Sequence, residues 1–590
     1  MRLAVTLLLM TACPLLKAAD ATAAGYWSLN QAREVLDKTR HVYIDPNLEG
    51  LTAGERAAID KLIAAGRLLH EMYLDSLHPE ALAAGRALSA QEPGDPQIEA
   101  LGQLFYLFRG PIATTLDNRR EPFLPVAPPE PGRNVYPWGI GRAPLQALIE
   151  RRPALAPGLM SIRTVIRETD AANIGTDLAH LDLYPVLDVL HPGLRERLLD
   201  LRDGDDAPFY ALPYSLRWAP QMMQVYGLLH EAADAVASSD ADFAGYLRLR
   251  ARDLLSDNYE GGDAAWVSGD FRNLNAQIGS YESYDDGLFG VRTFFSLSLL
   301  KRDAERTAEM QQAIGSIQAL QDLMPQRGER QVRSRIPVGV YEVIADFGQA
   351  RGTNTASILP NEADHTRKYG RIILLRGNIL TNPELFADSG QIYAAAVGPE
   401  LAADYQSEGP LYRTLWHEIG HYLGVARTLD GRDLGPALSP WGDLFEELKS
   451  DLVSLFVARQ LEEQGLIGEA RLRAIYASGI SRVLQRVEPR REQAYQTMQL
   501  MQMNFFLEHG LLSFGPEYLG LDYTRYHDTV AEMLAAVLRI QENGDAAEAG
   551  AFVDRYAVWD SKRHGRLAQR LRDANPYRFR MVHYRVLDPR

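Results

Sequence analysis

Cysteine is almost missing from this sequence: Cys13 stands alone among 590 residues. The body of the protein therefore has neither a disulfide framework nor thiolate metal ligands, and any metal site must be built from His, Asp and Glu. Basic charge is also in deficit. With 62 Lys and Arg against 77 Asp and Glu, the formal net charge of −15 gives no general attraction to nucleic acid or to anionic lipid. No apolar run approaches the roughly 20 residues a membrane-spanning helix needs. What remains is an ordinary globular composition, 46% hydrophobic and 24% charged, which argues against extensive disorder. At roughly 150 residues per domain the length allows about two to four domains. No internal repeat or low-complexity tract interrupts it.

Residues 1–19 read as a secretory signal, with Arg2 as a short basic region, an apolar stretch from Leu3 to Met10, and Ala18 and Ala19 as small residues for cleavage. The expected compartment is a bacterial periplasm, which suits an exported chain without disulfides. A second reading treats Met10-Thr11-Ala12-Cys13 as a lipoprotein box, with Cys13 acylated and holding the protein at a membrane.

Helical periodicity runs from about 26 to 108, over roughly 143–255 and 303–324, and again beyond 407 to about 580. Prolines 122, 125, 128, 129, 131 and 137 exclude helix and central strand from 121–139, which should run extended over a surface. Ile336 to Phe347 and Arg371 to Leu375 have a strand-like texture, so a small sheet is expected inside a mainly helical α+β protein.

The informative string is His417-Glu418-Ile419-Gly420-His421, an HExxH pentapeptide in a helical segment opened by Pro410 and closed near Gly424. Residues four apart share a helix face, so His417 and His421 can point imidazoles at one ion while Glu418 serves a metal-activated water as general base. A catalytic zinc needs a third protein ligand, and the next helix offers carboxylates. Asp443-x-x-Glu446 resembles a capping box, and Glu446-Glu447-Leu448-Lys449-Ser450-Asp451 follows it against an apolar stripe of Leu444, Leu448, Leu452 and Leu455. One of these carboxylates would bind the ion and the others would accept hydrogen bonds from the imidazoles.

HEIGH followed by EELKSD resembles the dipeptidyl peptidase III family of zinc metallopeptidases, in its bacterial branch with a pentapeptide motif. The likeness extends to Ile278-Gly279-Ser280-Tyr281-Glu282-Ser283-Tyr284, similar to that family's IG-x-x-E-x-Y block, and to Leu359-Pro360-Asn361, similar to its LPN segment. Together these blocks cover about residues 250–510. The resemblance implies two lobes around a wide cleft, with zinc in the helical lobe and a small sheet or barrel in the other. On that reading residues 25–300 form the lower lobe, with strands contributed by 335–385, and 301–334 with 386–590 form the upper, zinc-binding lobe. It further implies one zinc per chain on His417, His421 and Glu447, Glu418 as base, Glu446 and Asp451 supporting the ligands, and Tyr284 steadying the tetrahedral intermediate. Glu282 would receive the substrate's N-terminal amine and Asn361 its backbone.

The implied activity is release of N-terminal dipeptides from short peptides. The alternatives are a zinc hydrolase of different specificity, aminopeptidase-like, and a non-catalytic zinc protein that binds peptides. This chain departs from the family pattern where Tyr495 and Gln499 stand in place of a His and an Arg on a downstream helix, Tyr495 still being able to donate a hydrogen bond to substrate. Ile358 also stands where an Asn is expected. The sequence assigns no role to His70, His365, His509, His527 or His564.

Overall fold

A computed structural model describes residues 25–314, 317–328, 330–332 and 336–588. The signal expected at 1–19 and Cys13 lie outside the described residues. No helix among those described is long and apolar enough to cross a membrane.

The fold is mainly helical, arranged about one five-stranded mixed sheet. Across the sheet the strands run Leu274–Glu282, Phe294–Asp303, Val338–Gly348, Ile372–Arg376 and Ala356–Leu359. The Val338–Gly348 and Ile372–Arg376 strands pair in parallel, and the other neighbours are antiparallel. Ile372 and Leu374 belong to one large hydrophobic core, while Ile373 and Leu375 belong to a second. The sheet is therefore a wall shared by two cores, and a strand buried on both faces reads as an unbroken apolar run. The first core also takes in the long Ala53–Leu77 helix, and the second the helices Glu408–Gly420, Gly442–Glu463 and Ala494–Glu508. A smaller third core holds Ala32, Leu101, Leu104 and Phe123. Thr39–Ile44 pairs in parallel with Phe579–Tyr584, bringing the two ends of the described chain together.

The two strands expected from the sequence are present, but Leu274–Glu282 and Phe294–Asp303 lie almost wholly between the helical stretches expected at 143–255 and 303–324, where the sequence pattern marked no strand. Their buried polar residues break the apolar run. Gln277 Oε1 and Ser298 Oγ accept from the fully buried Arg376 at 3.3 and 3.0 Å, and Asn275 Nδ2 donates to Tyr341 Oη at 3.0 Å. Satisfied in this way, they can occupy a sheet interior that their side chains alone would not suggest. The proline-rich 121–139 stretch is largely irregular, with Pro122 ending a three-residue strand and Phe123, Leu124, Val135 and Tyr136 buried beneath it.

Candidate metal centre

The Glu408–Gly420 helix buries Leu415, Trp416 and Ile419, and with them His417 and Glu418, each only 6% exposed. Gly420 is dictated by the crossing with the Gly442–Glu463 helix, since a Cβ there would lie 2.9 Å from the Ser450 Cα and carbonyl oxygen. The helix stops at this point, with His421 as its C-cap. Its last carbonyls are taken by cations: Lys449 Nζ donates to Gly420 O at 2.8 Å and Leu423 O at 3.0 Å, and Arg371 Nη1 to His421 O at 2.9 Å. Positive charge at a helix C-terminus is favourable, and these bonds fix where the second histidine sits.

The Gly442–Glu463 helix corrects the expected capping box. Trp441 is its N-cap and no side chain caps it; Asp443 accepts instead from Ser283 Oγ at 2.7 Å. Glu446, Glu447 and Asp451 do face the histidines. His417 Nδ1 lies 2.7 Å from Asp451 Oδ1, and His421 Nδ1 lies 3.0 Å from Glu446 Oε1 and 2.9 Å from Ser450 Oγ. With each Nδ1 engaged by a carboxylate, each Nε2 is left for a ligand.

The Nε2 atoms of His417 and His421 are 3.3 and 3.9 Å from Glu447 Oε2. That oxygen is buried and has no hydrogen-bond partner, although Glu447 as a whole is only 3% exposed. The three ligand atoms lie within 4.8 Å of one another. Two imidazole nitrogens and an unpaired buried carboxylate oxygen converging on one point, with no sulfur among them, are a donor set that suits zinc.

Asp451 is braced further by Arg482 Nε at 2.8 Å, Arg413 Nη1 at 3.1 Å and Gln502 Nε2 at 3.3 Å. Against the effect of burial, Arg482, His417 and Arg413 hold its carboxyl well below the usual range. Glu446 is half-buried, and against that partial desolvation Lys449 and His421 keep its carboxyl low. Both carboxylates that orient the imidazoles are thus held ionised.

Tyr284 and Tyr495 each donate to the other oxygen of Glu447, Oε1, at 2.9 Å, with their own hydroxyls 3.2 Å apart. Tyr284 reaches the site because the Leu274–Glu282 strand bulges between Ser280 and Glu282, which turns the strand end away from its regular register. Gly279 prepares the bulge at φ +134°, where a Cβ would fall 2.5 Å from the Tyr259 ring. Glu282 accepts from Asn361 Nδ2 at 3.1 Å, and burial together with Glu447 and Asp443 pushes its carboxyl up to about 8. His417, Glu418, His421, Glu446, Glu447, Glu282, Tyr284, Asn361 and Tyr495 all line one cavity of about 2070 Å³, as does Gln499, which accepts from Gln485 Nε2 at 2.8 Å. Asp451 sits behind it.

Sequence reasoning missed Arg413, Arg482, Gln502 and Arg371 as parts of this site. Arg413 lies one turn before His417 on the motif helix itself, where the i, i+4 spacing could have found it, while Arg482 and Gln502 come from two other helices and Arg371 from a strand edge, with no spacing that links them to the motif. Lys449 and Ser450 stood inside the quoted EELKSD string and their burial was the missing information. His509 and His527 do not line the cavity; they stack on Phe505 and Phe456.

A second group, Asp263, Glu362 and His365, also brings metal-capable atoms within 4.8 Å. Here the charges are already matched. Asp263 accepts from Arg250 Nη2 at 2.5 Å, Tyr281 Oη at 2.8 Å and His365 Nδ1 at 2.8 Å, and Glu362 accepts from Arg163 Nη2 at 2.7 Å.

No protein-family model matches this sequence. The chain is 24% identical over 446 residues to a curated protein named Nudix hydrolase 3 from Arabidopsis thaliana, covering 74% of this chain and 55% of that protein, so it spans about half the relative's length. Among solved structures, dipeptidyl-peptidase III from Corallococcus sp. strain EGB superposes with a TM-score of 0.81 at 19% identity, covering 95% of this chain and 98% of the other. Dipeptidyl peptidase III from Caldithrix abyssi gives 0.74 at 21% identity, covering 93% and 98%. Over nearly its whole length, this chain has the dipeptidyl peptidase III fold.

Proposed function

We propose that this protein is a zinc-dependent exopeptidase that releases dipeptides from the N-termini of short peptides. The observation that carries the reading is the unpaired, buried Glu447 Oε2 facing two imidazole nitrogens whose opposite nitrogens are already engaged. His417, His421 and Glu447 would hold the ion. A zinc ion so bound supplies Lewis acidity, making a water acidic near neutral pH and polarising the scissile carbonyl.

Glu418 takes the proton of the attacking water and returns it to the departing amine. Burial raises its carboxyl above the ordinary value, which makes it a stronger base. Tyr284 and Tyr495, converging on the same carboxylate, donate to the oxyanion as charge develops. Glu282, whose raised carboxyl ionises when a cation lies beside it, pairs with the substrate's N-terminal ammonium, and Asn361 holds Glu282 in place. Glu282 and Tyr284 sit two residues apart at one bulged strand end, so amine anchor and reacting centre are tied to a single element. That arrangement supports cleavage at a short, fixed distance from the N-terminus.

The proposed division is a lower lobe of 25–300 with strands from 335–385 and an upper lobe of 301–334 and 386–590; the two cores on either side of the sheet support two lobes, although Val582 and Tyr584 pack in the first core. Limited proteolysis tests that division, and N-terminal sequencing of the protein recovered from its host tests export through residues 1–19.

The functional test is mass spectrometry of products from a pool of short peptides, using zinc-loaded wild type and Glu418→Gln. Successive loss of N-terminal dipeptides is expected from wild type, with the variant slower by about 10²–10⁴-fold. Single-residue or internal cuts would overturn the specificity and keep the zinc chemistry. No cleavage by zinc-bound protein would favour the peptide-binding alternative.

A further inference from the structure

Tyr495 is the second residue of the Ala494–Glu508 helix, so its hydroxyl can be no better placed than the first turn of that helix. The turn is held from outside the second core. Ile112–Thr114 and Arg120–Pro122 form a short antiparallel hairpin whose Ala113, with the following Phe123, belongs to the small third core. At its tip stands Asn118, 3% exposed and in the left-handed region at φ +67°. Asn tolerates that conformation better than most residues.

Both polar groups of the Asn118 side chain engage the segment that leads into the tyrosine helix, Oδ1 also accepting from Arg578 Nη2 at 3.4 Å. Nδ2 donates to Glu488 O at 2.9 Å and to Gln493 Oε1 at 2.8 Å. Oδ1 accepts from Arg490 Nη1 at 3.0 Å, and the Asn118 carbonyl accepts from the same nitrogen at 2.7 Å. Gln493 immediately precedes the helix and gives it no side-chain cap, because its amide oxygen is shared between Asn118 and the Arg490 backbone N–H at 2.9 Å. Thr497 Oγ1 closes the turn on Arg490 O at 3.1 Å. From that frame Tyr495 extends to Glu447 Oε1 at 2.9 Å.

We propose that Asn118 is a positioning residue: by fixing the 488–493 turn, the hairpin tip sets the first turn of the 494–508 helix and so holds the Tyr495 hydroxyl at the metal-ligating carboxylate. The buried amide makes this docking specific, because any other register would leave buried donors and acceptors unmatched. Its catalytic consequence rests on the peptidase reading; its structural consequence does not.

The test compares wild type with Asn118→Gly, which keeps the left-handed turn and removes the amide, and with Gln493→Ala, which removes the partner on the other side. Hydrogen exchange is expected to accelerate in amides 490–499 of both variants and to stay unchanged in the 408–420 helix. On peptide substrate, kcat should fall about ten- to a hundredfold with KM little altered, as expected for a misplaced donor. In a Tyr495→Phe background the same substitutions should cost nothing further. Unchanged exchange over 490–499, or kcat losses that multiply with Tyr495→Phe, would overturn the proposal. If wild type cleaves no peptide, the peptidase reading fails, and the exchange experiment alone decides the role of Asn118.

Discussion

Two clusters in this protein gather histidine and carboxylate atoms within 4.8 Å, yet they differ in what surrounds them. Asp263, Glu362 and His365 are met by Arg250, Arg163 and Tyr281, so the charge of each acid is already balanced by a protein cation or hydroxyl. At His417, His421 and Glu447 the arginines are displaced one layer outward, onto Asp451, and one oxygen of Glu447 has no hydrogen-bond partner and faces only the two imidazole nitrogens. Proximity of donors is thus common to both, and the uncompensated buried oxygen belongs to one. A buried polar atom without a partner costs free energy, and a cation at that point is the simplest way to recover it.

The largest effect that sharpens this contrast is structural. Asp263→Asn leaves the fully buried Arg250 with only Asp253, at 3.4 Å, as countercharge and should destabilise the fold by about 1.5–3 kcal/mol, read by denaturant titration, with metal content unchanged. Asp451→Asn also takes a countercharge from Arg413 and Arg482, but unlike Asp263→Asn it should weaken zinc binding by about 10–100-fold in competition with a chelator, because the His417 ring loses the partner that orients it.

The smallest expected effect is a pH dependence. The hydrogen bond to Asp263 raises the pKa of His365 above its ordinary value, against the opposing effect of burial. A raised histidine binds its proton more tightly in the folded state. Its contribution to stability is therefore fully present below about pH 6.5 and is lost as pH rises through the folded value. His365→Gln should flatten that limb of the stability profile and leave metal affinity alone.

The site was legible in the sequence where a helix imposes spacing. His417 and His421 four residues apart, and Glu446, Glu447 and Asp451 on one helix, needed only the 3.6-residue period to be placed. The 338–348 and 372–376 strands were legible for a related reason, since burial on both faces leaves an apolar run. Legibility ended where the partner lies far along the chain. Arg482 and Gln502 are unmarked until packing brings them to Asp451, and Asp443 was misread as a cap because nothing local shows that Ser283 claims it. The strands at 274–282 and 294–303 were hidden by polar residues whose partner, Arg376, is about 80–100 residues away. Asn118, bonded across 370 and 375 positions to the segment before Tyr495, left no local trace.

The measurement that tests the account most directly is elemental analysis of purified wild type, Glu447→Ala and Glu362→Gln after dialysis against trace zinc. The account predicts about one zinc per chain in wild type and in Glu362→Gln and almost none in Glu447→Ala, the ligand set being three residues of one site. Zinc retained at full stoichiometry in Glu447→Ala, or lost in Glu362→Gln, would contradict it.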